Sequence, residues 1–241
     1  MNLNLYIDVG NTNVKFAIFK DDKIKVAKLK TNLLDSHTTI FNFIKTYFGL
    51  SNFEYLIISS VVPSYDILLK ELNQEHFNSK MIFLNSSSKM NLEISPKAKD
   101  TIGADILANA IYAARNFEKA IVVSLGTATV ISYINNSKLI GTSISPGFYT
   151  SFKNLTKNAA KLSQVSLSDK DIIYGQNTQE ALSIGFIKGF SYLIKGIANE
   201  MDKSAPILLT GGDSMFFKNN FPSAIFVDNM VLEGLKIYYE K

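Results

Sequence analysis

Two aspartates, Asp8 and Asp105, have the residue type and the positions needed to handle a phosphate group. Asp8 ends an apolar run, NLYI, and precedes a Gly-Asn-Thr turn whose backbone N–H groups and hydroxyls suit phosphate oxygens. A carboxylate at that point can hold Mg²⁺ through water, because hard cations prefer oxygen ligands. Asp105 lies in the first turn of a helix predicted over 103–115. It either complements the helix dipole or accepts a proton from a substrate hydroxyl.

The strand–turn–strand unit around Asp8 occurs a second time, in residues 120–131, which read AIVVSLGTATVI. An alignment without gaps pairs Asp8 with Ser124 and Gly10 with Gly126. One reading is a pair of ordinary hairpins in which the glycines serve only the turn, since Gly readily takes a positive φ. Two copies in register, each opening one half of the chain, favour two phosphate-facing turns instead.

A third glycine element, LLTGGDS over 208–214, is predicted to end a strand and open a helix. Gly211 and Gly212 permit the close approach of a nucleotide, and a helix N-terminus attracts negative charge. Asp213 is also a common residue type for an N-cap. The sequence has no GxxxxGK[ST] motif, which excludes a P-loop enzyme.

The elements that position these residues follow the same order in both halves of the chain. Each half opens with apolar, strand-like runs around a glycine turn and continues with alternating helices and strands, which predicts an α/β fold with an internal duplication and a cleft. The polar stretch 85–100 is the predicted seam, giving halves at 1–100 and 101–241. Strands are predicted over 3–8, 14–19, 24–30, 55–61, 81–84, 120–124, 129–134, 138–145 and 206–210, and helices over 38–48, 64–75, 103–115, 148–161, 177–201 and 229–239.

The amino-acid composition excludes several classes of function. The chain has no cysteine, so it has neither disulfides nor thiolate sites, and His37 and His76 lack the marked partners of a catalytic triad. The net charge of +4 is spread along the chain without a basic block, so we expect no nucleic-acid partner. No run approaches the ~20 apolar residues of a membrane span, and we expect a cytoplasmic protein without a membrane partner.

Eight short motifs together resemble the type III pantothenate kinases, in order and spacing along essentially the whole chain. The resemblance implies an actin/hexokinase-like fold of two RNase H-like halves with an ATP cleft between them. It also implies ATP-dependent phosphorylation of pantothenate, the first step of coenzyme A biosynthesis, by a homodimer with active sites near its interface. Mg²⁺ and a monovalent cation, K⁺ or NH₄⁺, are the implied cofactors. The motifs are DVGNT (8–12), SSVVP (59–63), GAD (103–105), LGTATV (125–130), ISPG (144–147), GQNTQEALSIG (175–185), TGGD (210–213) and LEGL (232–235).

The same resemblance assigns roles to individual residues. Asp105 corresponds to the general base, Gly103 and Ala104 to the substrate-binding segment, and Thr178 to a substrate contact from the partner subunit. Thr127 corresponds to the second ATP loop; the glycine turns themselves add Gly126, Gly211 and Gly212 as expected cofactor-binding residues. The first ATP-phosphate loop corresponds to Asp8, Val9, Gly10, Asn11, Thr12, Asn13, Val14 and Lys15.

Three positions depart from the family pattern. Ile106 stands where a substrate-binding arginine normally follows GAD, and Arg115, about two and a half helical turns on, is too distant to replace it. Ser124 stands at the position of the aspartate that ligates K⁺, and a tyrosine that usually precedes GAD falls near Pro96.

These departures leave three interpretations. The chain is a pantothenate kinase in which a lysine or backbone N–H groups hold the substrate carboxylate, a kinase-fold pseudoenzyme or nucleotide-binding regulator, or a kinase for another small hydroxylated substrate. Asp8 and Asp105, the two carboxylates that phosphoryl transfer most needs, are both retained, which favours an active kinase.

Overall fold

A computed structural model describes residues 3–21, 23–32, 36–159, 162, 165–168 and 172–240. The chain forms two compact units. The first comprises residues 1–115 together with 230–241, and the second comprises residues 116–229. Each unit has its own hydrophobic core.

The first unit is built on a five-stranded sheet of order β3-β2-β1-β4-β5. β2 pairs antiparallel with both β1 and β3, whereas β1, β4 and β5 run parallel. The central strand β1 is buried along nearly its whole length, as is typical of strands covered on both faces. The strands are β1 (Leu5–Val9), β2 (Asn13–Lys20), β3 (Lys23–Lys30), β4 (Tyr55–Ser60) and β5 (Lys80–Phe83), and the helices are α1 (His37–Phe48), α2 (Pro63–Leu72), α3 (Ala104–Asn116) and α7 (Met230–Tyr239).

The second unit repeats this arrangement. Its five strands have the order β9-β8-β7-β10-β11, with antiparallel pairs among β7, β8 and β9 and parallel pairs among β7, β10 and β11. The repeated order confirms the duplicated α/β fold predicted from the two glycine turns. The elements are β7 (Lys119–Leu125), β8 (Ala128–Asn135), β9 (Lys138–Pro146), α4 (Phe148–Asn158), α5 (Thr178–Ser183), α6 (Gly189–Asp202), β10 (Ile207–Thr210) and β11 (Ile225–Phe226); the two-residue strand β6 (Glu93–Ile94) precedes them.

The compact units divide the chain at a different point from the predicted boundary after residue 100. Helix α3 belongs to the first unit, and the last helix, α7, returns to it. The reason is that α7 packs against β1 and β4 of the first sheet. It also approaches α3 closely, since a Cβ at Gly234 would overlap the carbonyl oxygen of Ala108. Only glycine permits the two backbones to approach so closely, and the sequence between them gives no local sign of the contact.

Several element boundaries also differ from those predicted. The helix predicted over 64–75 ends at Leu72 and continues as a π-helical turn, Asn73–Phe77. The helix predicted after LLTGGDS is a four-residue 3₁₀ turn, Ser214–Phe217. Strands β6 and β11 were not predicted, because two residues show no periodicity. The helix predicted over 148–161 ends at Asn158, because the backbone of Ala159 is extended; residues 160–161 lie outside the described residues.

Helices α5 and α6 join through a π-helical turn, Ile184–Lys188, into one helical stretch, Thr178–Asp202. Among the described residues, this stretch alone meets the length and hydropathy expected of a membrane span, contrary to the expectation that no run would. Core helices of soluble proteins pass the same test. One stripe of the helix is buried in the second unit, namely Ser183, Ile187, Ser191, Ile194 and Ala198.

Candidate active site

Asp8 lies in a row of side chains across the centre of the first sheet. Its register partners are Lys15 on β2 and Ser59 on β4. Residues in register on neighbouring strands project from the same face, so the row places a cation and a hydroxyl beside the carboxylate. Ser59 is fully buried, and its hydroxyl has no hydrogen-bond partner in the part of the chain that the structure describes. Ser59 lies in the SSVVP motif. The sequence alone does not place it beside Asp8, because the register between β1 and β4 is not visible in the sequence.

The turn after Asp8 is held by short hydrogen bonds. The Gly10 N–H donates to the Asn13 carbonyl at 3.0 Å, and the Thr31 hydroxyl donates to the Gly10 carbonyl at 2.6 Å. The φ of Gly10 lies outside the left-handed region, so the turn does not use the freedom of glycine to take a positive φ. Space there favours glycine, since a Cβ would lie 3.2 Å from the Asn13 carbonyl oxygen. Asn11 and Thr12 are left exposed at the tip.

Asp105 sits at the start of α3, as predicted, and Gly103 shapes its surroundings. The Ile106 N–H donates to Asp105 Oδ1 at 2.9 Å, which fixes the carboxylate against the first helical turn. A Cβ at Gly103 would lie 2.5 Å from Asp105 Oδ1 and 3.4 Å from Val61 Cγ1. The absence of a side chain at residue 103 therefore leaves the space that the carboxylate occupies.

The two aspartates share one electrostatic environment within the first unit. Burial raises the pKa of Asp8 to about 6; Lys15 opposes this shift, and the nearby Asp105 carboxylate adds to it. Burial also raises the pKa of Asp105, against the effect of backbone N–H groups at Ile106 and at Asp105 itself. The fold thus brings together two carboxylates that the sequence could only single out separately, and raised pKa values are typical of functional carboxylates.

We expect Gly103→Ala to lower kcat by about tenfold or more, because the added methyl group must push the Asp105 carboxylate away from its position. Steady-state kinetics test this expectation. Gly49→Ala serves as the control, since a Cβ at that helix end meets no described atom within 4 Å and strain there affects stability rather than the site. Unchanged kcat in the Gly103 variant would show that the position of Asp105 is unimportant.

In the second unit, the β7–β8 turn packs against a glycine from the β9–α4 connection. The Gly126 N–H donates to the Ala128 carbonyl at 3.0 Å, and the Gly147 N–H donates to the Thr127 carbonyl at 3.2 Å. A Cβ at Gly147 would overlap the carbonyl oxygens of Gly126 and Thr127. Thr127 is exposed at the tip of this turn, and Ser124 lies half-buried one residue before the end of β7.

The TGGD loop joins the same end of the second sheet. Gly211 has a φ of +96°, and a Cβ on it would overlap the Leu125 carbonyl oxygen, so close packing against β7 requires glycine. The Asp213 N–H donates to that carbonyl at 3.1 Å. Asp213 makes no side-chain cap to the 3₁₀ turn that follows it; its carboxylate accepts a hydrogen bond from the Tyr149 N–H at 3.3 Å, in the first turn of α4. This end of the second sheet is therefore formed by three glycine-containing loops, at Gly126, Gly147 and Gly211, and not by a helix N-terminus.

The protein-family comparison decides the identity. A model of the type III pantothenate kinase family matches residues 4–200. The chain belongs to the type III pantothenate kinase family. The match confirms the resemblance drawn from the motifs, and it covers most of the chain.

Two type III pantothenate kinases align with this chain over almost its full length. The chain is 40% identical over 242 residues to the type III pantothenate kinase of Mycoplasma mobile, covering 99% of each chain. It is 32% identical to that of Thermosipho africanus, covering 98% of each chain.

Solved structures show the same fold. A Campylobacter jejuni protein described as a Baf family transcriptional activator is 26% identical, with a TM-score of 0.63 over 98% of this chain and 97% of that one. A ROK family glucokinase from Streptomyces griseus, solved with glucose and AMPPNP, has a TM-score of 0.58 at 12% identity, covering 97% of this chain and 98% of that one. The latter likeness confirms the actin/hexokinase-like fold.

The predicted site residues of this pantothenate kinase family member divide between the two units. In the first unit, Ala104 is buried and Ile106 is half-buried beside Asp105. In the second unit, Thr178 is exposed as the first residue of α5, where the Asn177 side chain accepts a hydrogen bond from the Glu180 N–H. No group of three or more metal-ligating side chains occurs among the described residues. Asp8 offers carboxylate oxygens, the type of ligand that Mg²⁺ prefers.

Proposed function

We propose that Asp105 and Asp8 carry the ATP-dependent phosphorylation of pantothenate in this chain. The chain is a type III pantothenate kinase by family, which places it in coenzyme A biosynthesis, and a regulator without activity is not favoured. The observation that carries the proposed roles is the pairing of the two carboxylates, since Asp105 contributes to the raised pKa of Asp8.

Asp105 is proposed as the general base. Its carboxylate takes the proton of the pantothenate primary hydroxyl, whose oxygen attacks the γ-phosphorus of ATP in line. The raised pKa of Asp105 brings its proton affinity closer to working pH, which suits a general base. Its hydrogen bond from the Ile106 N–H and the space left by Gly103 hold it in place. Most of the rate gain comes from positioning and charge neutralisation.

Asp8 and the loops hold the nucleotide phosphates. Mg²⁺, when bound, neutralises the negative charge that builds on the phosphates during transfer. Asp8 anchors that ion through water, and the exposed residues of the Gly10–Thr12 turn offer N–H groups to phosphate oxygens. In the second unit, Gly126, Thr127, Gly211 and Gly212 are proposed to contact the nucleotide. Thr127 and Gly212 are exposed, and a Cβ at Gly126 or Gly212 would meet no described atom within 4 Å.

This chain must bind the substrate carboxylate without the arginine of the family pattern, since the residue at that position, Ile106, has no charge. In the test, purified protein is incubated with ATP, Mg²⁺ and one candidate substrate per reaction, and the products are detected by mass. The candidate substrates are pantothenate, its uncharged primary amide and other small hydroxylated acids. We expect phosphopantothenate. Retained nucleotide binding without any phosphorylated product would support a regulator, and product from another acid alone would assign a different substrate.

A monovalent-cation site at Ser124 is expected to be weak. A neutral hydroxyl replaces the carboxylate that the family resemblance implies for K⁺, so we expect the rate to change by less than about twofold when Na⁺ replaces K⁺ or NH₄⁺. The rate is measured at constant ionic strength. Ser124→Asp is the matched variant: a gain of K⁺ activation would support the assignment, and strong K⁺ activation of the unchanged protein would contradict it.

We further propose a cytoplasmic homodimer, with the exposed side of the α5–α6 stretch in the interface. This side carries small residues, one large aromatic and one lysine, and the small residues permit close approach of a second copy. A Cβ at Gly185, Gly189 or Gly196 meets no described atom within 4 Å, so the glycines serve no contact within the described chain. The exposed residues between Ala181 and Gly196 are Ala181, Gly185, Gly189, Tyr192, Lys195 and Gly196.

Analytical ultracentrifugation tests the dimer. We expect twice the chain mass for the unchanged protein and mainly monomer for Gly189→Glu, since a charge on this face must be desolvated on association. Lys203→Glu, just beyond α6, is the control and is expected to stay dimeric. If both variants sediment as the unchanged protein does, the interface lies elsewhere.

A further inference from the structure

The two histidines of the chain lie side by side in the first unit, although 39 residues separate them in sequence. His37 is the first residue of α1, and His76 lies in the π-helical turn Asn73–Phe77. The distance from His37 Nδ1 to His76 Nε2 is 3.3 Å, and the ring centroids are 5.4 Å apart. Both side chains are half-buried, so the pair remains reachable from solvent.

We propose that this pair binds a divalent transition-metal ion such as Zn²⁺, with His37 Nδ1 and His76 Nε2 as ligands. Zn²⁺ binds imidazole nitrogen at roughly 2.0–2.1 Å, and two such ligands at a tetrahedral angle are about 3.3 Å apart. The observed separation of the two nitrogens is 3.3 Å, so the ion needs little rearrangement to fit between them. Each metal-bound imidazole carries its proton on the other ring nitrogen.

Neighbouring side chains hold both rings in this arrangement. The Phe41 ring stacks on His76 with a centroid distance of 4.2 Å and an interplanar angle of 10°. Ser36 caps α1 by accepting a hydrogen bond from the Thr39 N–H, which fixes the helical turn that begins with His37. Ordered ligands lose less conformational entropy on binding, so a two-histidine site gains affinity from this packing.

The chemistry of the ligands selects the ion. Imidazole suits Zn²⁺, Cu²⁺ and Ni²⁺, whereas Mg²⁺ and K⁺ prefer oxygen, so this site is chemically distinct from the carboxylates proposed for the reaction. Among the described residues no third metal-ligating side chain completes a cluster, so water fills the remaining positions and the ion exchanges freely. The alternative is a direct N–H···N hydrogen bond between the rings, with no metal affinity.

Because the chain has only two histidines, every histidine ring signal in an NMR spectrum belongs to the proposed site. Untagged protein is titrated with ZnCl₂ in excess Mg²⁺, without nucleotide, while the imidazole ring protons are followed by NMR. We expect both sets of ring signals to change together and to saturate at one Zn²⁺ per chain. Signals that do not respond, or that respond at clearly different Zn²⁺ concentrations, overturn the proposal.

Variants provide a second measurement by calorimetry. We expect His37→Gln and His76→Gln each to weaken Zn²⁺ binding about tenfold or more, because each leaves one imidazole ligand. Glu75→Gln, the exposed neighbour of His76, is the matched control and is expected to bind as the unchanged protein does. Binding that persists within about twofold in both histidine variants contradicts the proposal, and the NMR titration of the unchanged protein decides the matter if a variant fails to fold.

Discussion

Replacing Asp105 by Asn is expected to lower kcat by about 10²–10⁴-fold, the usual contribution of a positioned general base. The amide keeps the size of the carboxylate but has negligible proton affinity, and it can still accept the hydrogen bond from the Ile106 N–H. KM for ATP should stay within about threefold, because the change removes proton transfer and not nucleotide contacts. Steady-state kinetics with saturating pantothenate measure both quantities.

Asp100→Asn is the matched control for this prediction, since Asp100 is an exposed aspartate a few residues before α3. It is expected to have unchanged kinetics. A kcat of Asp105→Asn within about threefold of the unchanged protein would mean that another group accepts the hydroxyl proton.

Asp8→Asn is expected to lower kcat/KM for MgATP by about 10²–10³-fold, because it removes the charge proposed to anchor Mg²⁺ beside the phosphates. The loss should be partly offset by high Mg²⁺ concentrations, which distinguishes it from the loss in Asp105→Asn. Titration of the rate with Mg²⁺ at fixed ATP measures this. A variant with normal kcat/KM and normal Mg²⁺ dependence would remove Asp8 from the site.

The same variant is expected to be more stable than the unchanged protein at pH 8. Burial raises the pKa of Asp8 from 3.8 in the unfolded chain to about 6 in the folded one. Stability from the neutral carboxyl is therefore fully present below pH 3.8 and is lost as pH rises through about 6. Asn stays neutral, so we expect a higher Tm for Asp8→Asn at pH 8 and a smaller difference at pH 4. An equal effect at both pH values would contradict the raised pKa.

The central strands of both sheets were predictable because their sequences are nearly continuous apolar runs that end at a glycine turn. The boundary between the units was not, because it depends on the packing of α7 against β1 and β4, which are far from α7 in sequence. Strand β11 has two residues and carries no periodic signal, yet it completes the repeated strand order.

In the site, Asp8 and Asp105 were predictable because a carboxylate after a strand and one in a first helical turn are recognisable locally. Their mutual influence on pKa was not, since it arises from tertiary packing. Two other contacts were not predictable for the same reason. Ser59 lies beside Asp8 through the register of β1 and β4, and Asp213 accepts a hydrogen bond from the Tyr149 N–H instead of capping its own turn. Sequence shows which groups are available, and long-range packing decides which of them meet.

A single-turnover experiment tests whether the chain phosphorylates pantothenate with Asp105 as the base. Excess protein is mixed with Mg²⁺, ATP and pantothenate, and phosphopantothenate is quantified over time for the unchanged protein and for Asp105→Asn. We expect one phosphopantothenate per ATP from the unchanged protein and a first-order rate at least about a hundredfold lower from the variant. ATP bound without phosphopantothenate in the unchanged protein, or equal rates in both proteins, would contradict the account.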